Sequence, residues 1–247
     1  MVRIETERIP ATRSEAPELV FLHEGLGSLA LWRGFPAALA ERTGFGALVY
    51  SRRGNGFSEP LTHPRTPQYM HDAALVELPQ VLADERVGDT VLVGHSDGAS
   101  IALIYAAERP ERVRAVVLEA PHVFVEGLSV LNIGAIRERY EQGELRERMR
   151  RHHTDGNATF YGWNDIWLSP TFRDWNIEPY LARVRAPILA IQGSNDEYGT
   201  LAQLDAIANR AGGPVDRIVL AGCGHAPHAD RLAFVTDAIA GWLQTVT

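Results

Sequence analysis

The sequence predicts an α/β chain: a mostly parallel sheet flanked by helices on both faces. Short β-branched apolar runs recur, and each is followed by a turn or a helical pattern. The runs are continuously apolar rather than alternating, as strands covered on both faces are. The alternation breaks once, which predicts an insertion.

In chain order, residues 2–9 predict one antiparallel edge strand. Parallel strands follow at 19–23, 47–51, 90–95, 115–120, 188–192 and 217–220. Helical patterns occupy 30–42, 68–85, 99–108, 201–211 and 230–244 between them. No strand pattern occurs from 122 to 180, a stretch that carries nine of the chain's 20 aromatic residues, Trp163, Trp167 and Trp175 among them. That concentration predicts an inserted helical lid whose aromatics line a pocket at the strands' carboxyl ends; the rival reading is that they only pack the insertion onto the core. Residues 137–151, rich in arginine, read as a solvated helix, and His152 and His153 as surface residues. The predicted division is a core of 1–121 and 181–247 with a lid of 122–180.

Composition narrows the function. A chain of 247 residues suits one large α/β domain. A net charge of −7 argues against nucleic acid or an anionic bilayer as partner and leaves a small-molecule substrate. The charged start, the single Cys223 and the absence of a long apolar run together predict a cytoplasmic protein. All 24 basic residues are arginine, so lysine-dependent chemistry is excluded, including Schiff bases, pyridoxal phosphate anchoring and Walker-type loops. Neither a cofactor nor a metal site is expected, and oligomeric state is not legible.

The strongest chemical signal is Gly94-His95-Ser96-Asp97-Gly98 between a strand and a helix. A sharp strand-to-helix turn exposes the serine hydroxyl at the sheet edge, and the glycines make room for its strained backbone. A serine nucleophile needs a base, and the base an orienting acid. Asp196 follows the 188–192 strand and His225 follows the last one, so Ser96, Asp196 and His225 stand in the chain order of this motif class. His228 reads as a helix-start residue, and His122 as either a packed histidine or a substrate contact.

Earlier in the chain, Gly25, Gly27 and Ala30 match G-x-G-x-x-A, and Arg52 and Arg53 follow the next strand. Dinucleotide binding by a reductase would explain both features. It would leave the serine, aspartate and histidine unexplained, and the short-chain reductases it would resemble need a lysine this chain lacks.

Together, Phe21-Leu22-His23-Glu24-Gly25-Leu26-Gly27-Ser28, the stretch Tyr50 to Ser58, Gly94 to Gly98, Gly193-Ser194-Asn195-Asp196 and Gly224-His225 resemble the α/β-hydrolase superfamily, in its serine-nucleophile, lid-containing, esterase-like branch. The resemblance spans nearly the whole chain. It implies a lid inserted after the sixth strand and an oxyanion hole made by the backbone N–H of Gly25, or of Leu26, with that of Asp97. His-Glu stands where the family more often has His-Gly; Glu24 then either bonds loop amides or puts a carboxylate by the site, with Leu26, His122, Trp163 and Trp167 as further pocket residues. The implied activity is hydrolysis of a small or medium carboxylic ester through an acyl-enzyme. Thioester, lactone or C–C hydrolysis on the same scaffold is the alternative, and a small-molecule receptor or non-hydrolytic lyase is the alternative of another class.

Overall fold

Alternate residues of the central strands feed two separate apolar layers, and this builds the sheet. Val20, Leu22, Leu48, Tyr50, Leu92 and Val116 face one layer. Leu19, Phe21, Ala47, Val49, Val91 and Val93 face the other. The computed structural model describes residues 2–247, and the seven strands are β1 (Glu5–Ile9), β2 (Glu18–Leu22), β3 (Ala47–Ser51), β4 (Thr90–His95), β5 (Val113–Glu119), β6 (Ile188–Gly193) and β7 (Val215–Leu220). They form one sheet in the order β1-β3-β2-β4-β5-β6-β7. Only β1 runs antiparallel, paired with β3 from Glu5 against Ser51 to Ile9 against Ala47. The order reverses between β2 and β4, and open parallel sheets bind ligands at the strand ends beside such a reversal.

The helices are α1 (Phe35–Thr43), α2 (Tyr69–Asp72), α3 (Leu78–Asp84), α4 (Asp97–Glu108), α5 (Gly127–Glu141), α6 (Glu144–Arg150), α7 (Gly156–Leu168), α8 (Glu178–Leu181), α9 (Ala202–Arg210), α10 (Pro227–Asp230) and α11 (Leu232–Val246). A wider turn, Ala73–Glu77, joins α2 to α3. Helix α4 is the core of the molecule, with every residue from Asp97 to Ala107 buried. Among the described residues no helix is long and apolar enough to cross a membrane.

Three expectations need correction. The helical insertion follows the fifth strand, not the sixth, because only one antiparallel strand precedes β2. The pattern at 137–151 is two helices, since Gly143 adopts φ 106 and breaks it. His153 is buried, 3% exposed, and accepts the Gly56 N–H at 2.9 Å, which ties the insertion to the loop after β3.

Candidate active site

Ser96 caps α4 at the carboxyl end of β4 with φ 54 and ψ −118. A residue with a Cβ rarely adopts positive φ, and holding it there costs roughly 1–3 kcal/mol. The surroundings enforce it. A Cβ on Gly94 would lie 2.5 Å from the Gly98 carbonyl oxygen, and one on Gly98 would overlap the Leu22 carbonyl oxygen. Both glycines therefore let α4 start directly over β2 and β4, with its unfilled N–H groups at the serine.

His225 is brought to this point by the loop after β7. His95 Nε2–H donates to the His225 carbonyl at 2.7 Å, and their rings lie 5.2 Å apart. His225 Nδ1–H donates to Asp196 Oδ1 at 2.8 Å. That oxygen also accepts the Tyr198 N–H at 2.8 Å and the Gly199 N–H at 3.2 Å, while Gln192 Nε2 donates to Oδ2 at 3.1 Å. Burial raises the Asp196 pKa, but the His225 bond and charge and the Tyr198 N–H outweigh it, so the carboxyl is held below its ordinary value. It stays ionised and fixes one tautomer of His225, leaving Nε2 as the basic nitrogen. Neither the Ser96 hydroxyl nor His225 Nε2 is hydrogen-bonded to any group among the described residues; the link between them is His95, the residue before Ser96, which bonds the His225 carbonyl.

The loop after β2 lies over α4. No acceptor among the described residues holds the Gly25, Leu26 or Asp97 N–H. Two residues the sequence reading did not assign to the site set this loop. Arg52 donates through NH1 to the His23 carbonyl and through NH2 to the Glu24 carbonyl at 2.9 Å. Asn55 Nδ2 donates to the Gly25 and Gly27 carbonyls at 3.1 and 2.9 Å. Gly25, Gly27 and Arg52 therefore belong to one braced turn, not to a dinucleotide cradle. Their signal is the Tyr50–Ser58 stretch, which does not disclose the bracing role because the targets are backbone carbonyls about thirty positions away.

Glu24 does not bond the loop amides. Its carboxylate has no hydrogen-bond donor among the described residues and lies over Gly27, where a Cβ would overlap it. Burial raises its pKa; the charges acting on it are Arg52, His228, Asp97 and His225. Leu26 is half-buried between the core and the insertion's own small cluster.

The insertion closes over these groups. Trp163 packs on Gly25, where any Cβ would overlap the indole, and its Nε1–H is buried without a partner. Trp167 lies 5.3 Å from the His122 ring and donates Nε1–H to the Tyr69 hydroxyl at 2.9 Å, which donates to Asp97 Oδ2 at 2.6 Å. His122 is buried 5.7 Å from the His225 ring, and its Nδ1 has no partner. Burial, then the His225 charge, lowers its pKa to about 3. His228 starts α10 as expected but is also buried, with Nδ1–H donating to Glu119 Oε2 at 2.7 Å. Burial opposes its charge, but the Glu119 charge and hydrogen bond, with the charges of Glu24 and Asp230, together outweigh burial and raise its pKa.

These imidazoles fix a pH dependence of stability. His122 stays neutral in the fold but takes a proton in the unfolded chain below about pH 6.5, so it costs nothing above that pH and progressively destabilises the fold below it. His228 acts oppositely: its contribution is complete below its unfolded value and is lost as pH rises through the folded one. In urea denaturation, His122→Asn is expected to lose about 2 kcal/mol less stability between pH 7.5 and pH 5 than the parent. Parallel pH slopes would show that His122 is not held neutral.

The model for the alpha/beta hydrolase fold matches residues 17–180. The chain belongs to the alpha/beta hydrolase fold family. This alpha/beta hydrolase is 30% identical over 106 residues to the sn-1-specific diacylglycerol lipase ABHD11 of Danio rerio, a match covering 43% of this chain and 32% of that one. The chain thus spans about a third of the length of those lipases. It is 23% identical over 279 residues to a proline iminopeptidase of Lactobacillus helveticus, covering 96% of this chain and 92% of the other. Among solved structures, the enol-lactonase from Burkholderia xenovorans LB400 superposes with a TM-score of 0.74 at 18% identity over 98% of this chain and 97% of that one.

Proposed function

We propose that this alpha/beta hydrolase is a serine hydrolase that cleaves a small or medium carboxylic ester, or a related acyl compound, in the cytoplasm and without a cofactor. The observation that carries the reading is an aspartate-bound imidazole packed against His95, the residue that precedes a serine held at positive φ at the head of a buried helix. In this reading His225 Nε2 takes the Ser96 proton as Ser96 Oγ attacks the carbonyl carbon. The free N–H groups of Gly25 and Asp97 bind the oxyanion that forms; each donor in such a hole is worth about 10²–10³ in rate. His225 then protonates the leaving oxygen, and water, deprotonated by His225, releases the acid. Residues 122–180 act as the lid, and Trp163 and Trp167 shape an apolar pocket over Gly25 and His122.

The relatives' names, a lipase, a peptidase and a lactonase, share attack on an acyl carbon, which supports the chemistry and leaves the leaving group open. A fluorophosphonate is expected to add once, on Ser96, and a panel of p-nitrophenyl acetate, butyrate and octanoate to be turned over. Labelling at another residue would move the site. Single labelling of Ser96 with no turnover of any ester, thioester or lactone would favour the receptor reading.

A further inference from the structure

A cavity of about 970 Å³ lies between the segment before β1, the loop 52–66 and the stretch from α2 to α3. Ser96, Asp196 and His225 do not line it. Its lining contains two guanidinium groups with no direct ion pair among the described residues. Arg52 is 2% exposed; its two terminal nitrogens bond the His23 and Glu24 carbonyls, and its Nε has no partner. Arg65 lies over the Tyr69 ring at 4.9 Å, donates NH2 to Asn55 Oδ1 at 2.9 Å, and its Nε has no partner either. Among the described residues no carboxylate comes within 4.0 Å of either group, whereas neighbouring Arg53 pairs with Glu59 at 3.4 Å. Glu77 is the inner carboxylate of the cavity, and its oxygens accept only the Arg53 N–H, at 3.2 and 3.4 Å.

Carbonyls and amides satisfy hydrogen bonds but do not cancel charge. Two desolvated cations without a carboxylate in direct contact are costly: burial pulls the Arg65 pKa down, and the charges of Asp97 and Glu77 only partly offset it. A guanidinium fork matches a carboxylate best. The remaining wall is apolar, with Ile4, Leu61, Val76 and Val81. Glu77 inside and Asp72 and Asp84 on exposed positions of the lining keep the local positive potential small, which favours one negative charge over a dianionic phosphate.

We propose that this cavity binds a monovalent organic acid, with its carboxylate on Arg65 backed by Arg52 and its hydrocarbon body along Ile4, Val76 and Val81. The cavity also touches both halves of the reaction cleft. Arg52 holds the two carbonyls that precede Gly25, and Tyr69 holds the Asp97 carboxylate. A bound acid therefore modulates the oxyanion loop; this consequence, unlike the binding site itself, rests on the function proposed above. Acids of this class are what ester cleavage releases, so the cavity is suited to product feedback.

The test is calorimetric titration of the full chain with sodium octanoate and, separately, octyltrimethylammonium. Octanoate is expected to bind saturably at one site and the cation not at all. Arg65→Gln, which removes one charge-assisted bond, and Val76→Asp, which sets a charge against the hydrocarbon body, are each expected to weaken octanoate by about 10-fold or more. Val76 is 69% exposed, so its variant folds normally and keeps the test decisive if Arg65→Gln does not. Binding is expected to survive fluorophosphonate labelling of Ser96. Absence of saturable binding, equal affinity in both variants, or loss of binding on labelling alone would overturn the proposal. In a kinetic arm, octanoate should change kcat for p-nitrophenyl acetate and not KM alone. If no ester is hydrolysed that arm fails with the proposed function, and calorimetry still decides the site.

Discussion

Ser96→Ala is expected to lower kcat/KM for the best p-nitrophenyl ester by about 10⁴-fold or more while leaving the unfolding midpoint unchanged. The two halves of this expectation have different causes. The hydroxyl is the proposed attacking group, and without it only general binding and the proposed oxyanion donors remain. In the fold it bonds nothing among the described residues, so its removal orphans no partner and opens no cavity. Alanine also keeps the Cβ that suffers at φ 54, so no strain is released. Ser96 is buried but unbonded, so its loss breaks no hydrogen bond and leaves no group unpaired. Steady-state kinetics with urea denaturation of the same preparation checks both. A variant with parental turnover would remove Ser96 from the chemistry; one that lost activity and stability together would leave its role undecided between chemistry and folding, so the unchanged midpoint is the discriminating half.

Legibility in the sequence follows the range of the interaction concerned. The sheet was readable because strands buried on both faces must be apolar throughout, a property written within five or six consecutive residues, as in β2, β4 and β6. The turn at Ser96 was readable because its steric demands fall on positions two residues either side. Asp196 and His225 were readable only as loop residues after strands; their 2.8 Å bond joins positions 29 apart, and a search by chain order sufficed to pair them. Which of its two roles Glu24 takes was not readable, because whether a carboxylate finds an amide depends on the three-dimensional course of its own loop. His153 was misread because its neighbours in sequence are charged while its partner, Gly56, is 97 positions away. The strand preceding the insertion was miscounted because the resemblance carried a strand number, whereas the described residues hold one strand before β2. Arg52 and Asn55 were visible as residues but not as braces, since a side chain bonding backbone carbonyls leaves no paired side chain to find.

Gly98→Ala tests the claim that backbone proximity, rather than side-chain chemistry, builds the cleft. The added Cβ would overlap the Leu22 carbonyl oxygen and stand 2.7 Å from that of His23. Both obstacles are backbone, so no rotamer change relieves them, and β2 must move away from the start of α4. Overpacking of this kind costs about 1–3 kcal/mol. The movement also carries the loop that begins at His23, and with it the Gly25 N–H, away from the Asp97 N–H. A displacement near 1 Å between parts of a reacting constellation costs about 10²-fold in rate. The expected result is therefore a folded, less stable protein with turnover lowered by about 10²-fold and an unaltered single site of fluorophosphonate addition, slower in proportion. Gly222→Ala provides the contrast. That glycine has φ 68 but open space around it, so its variant is strained without pushing on β2. If Gly98→Ala retained full turnover at reduced stability, the oxyanion donors would have to lie elsewhere than on the loop that Gly98 supports.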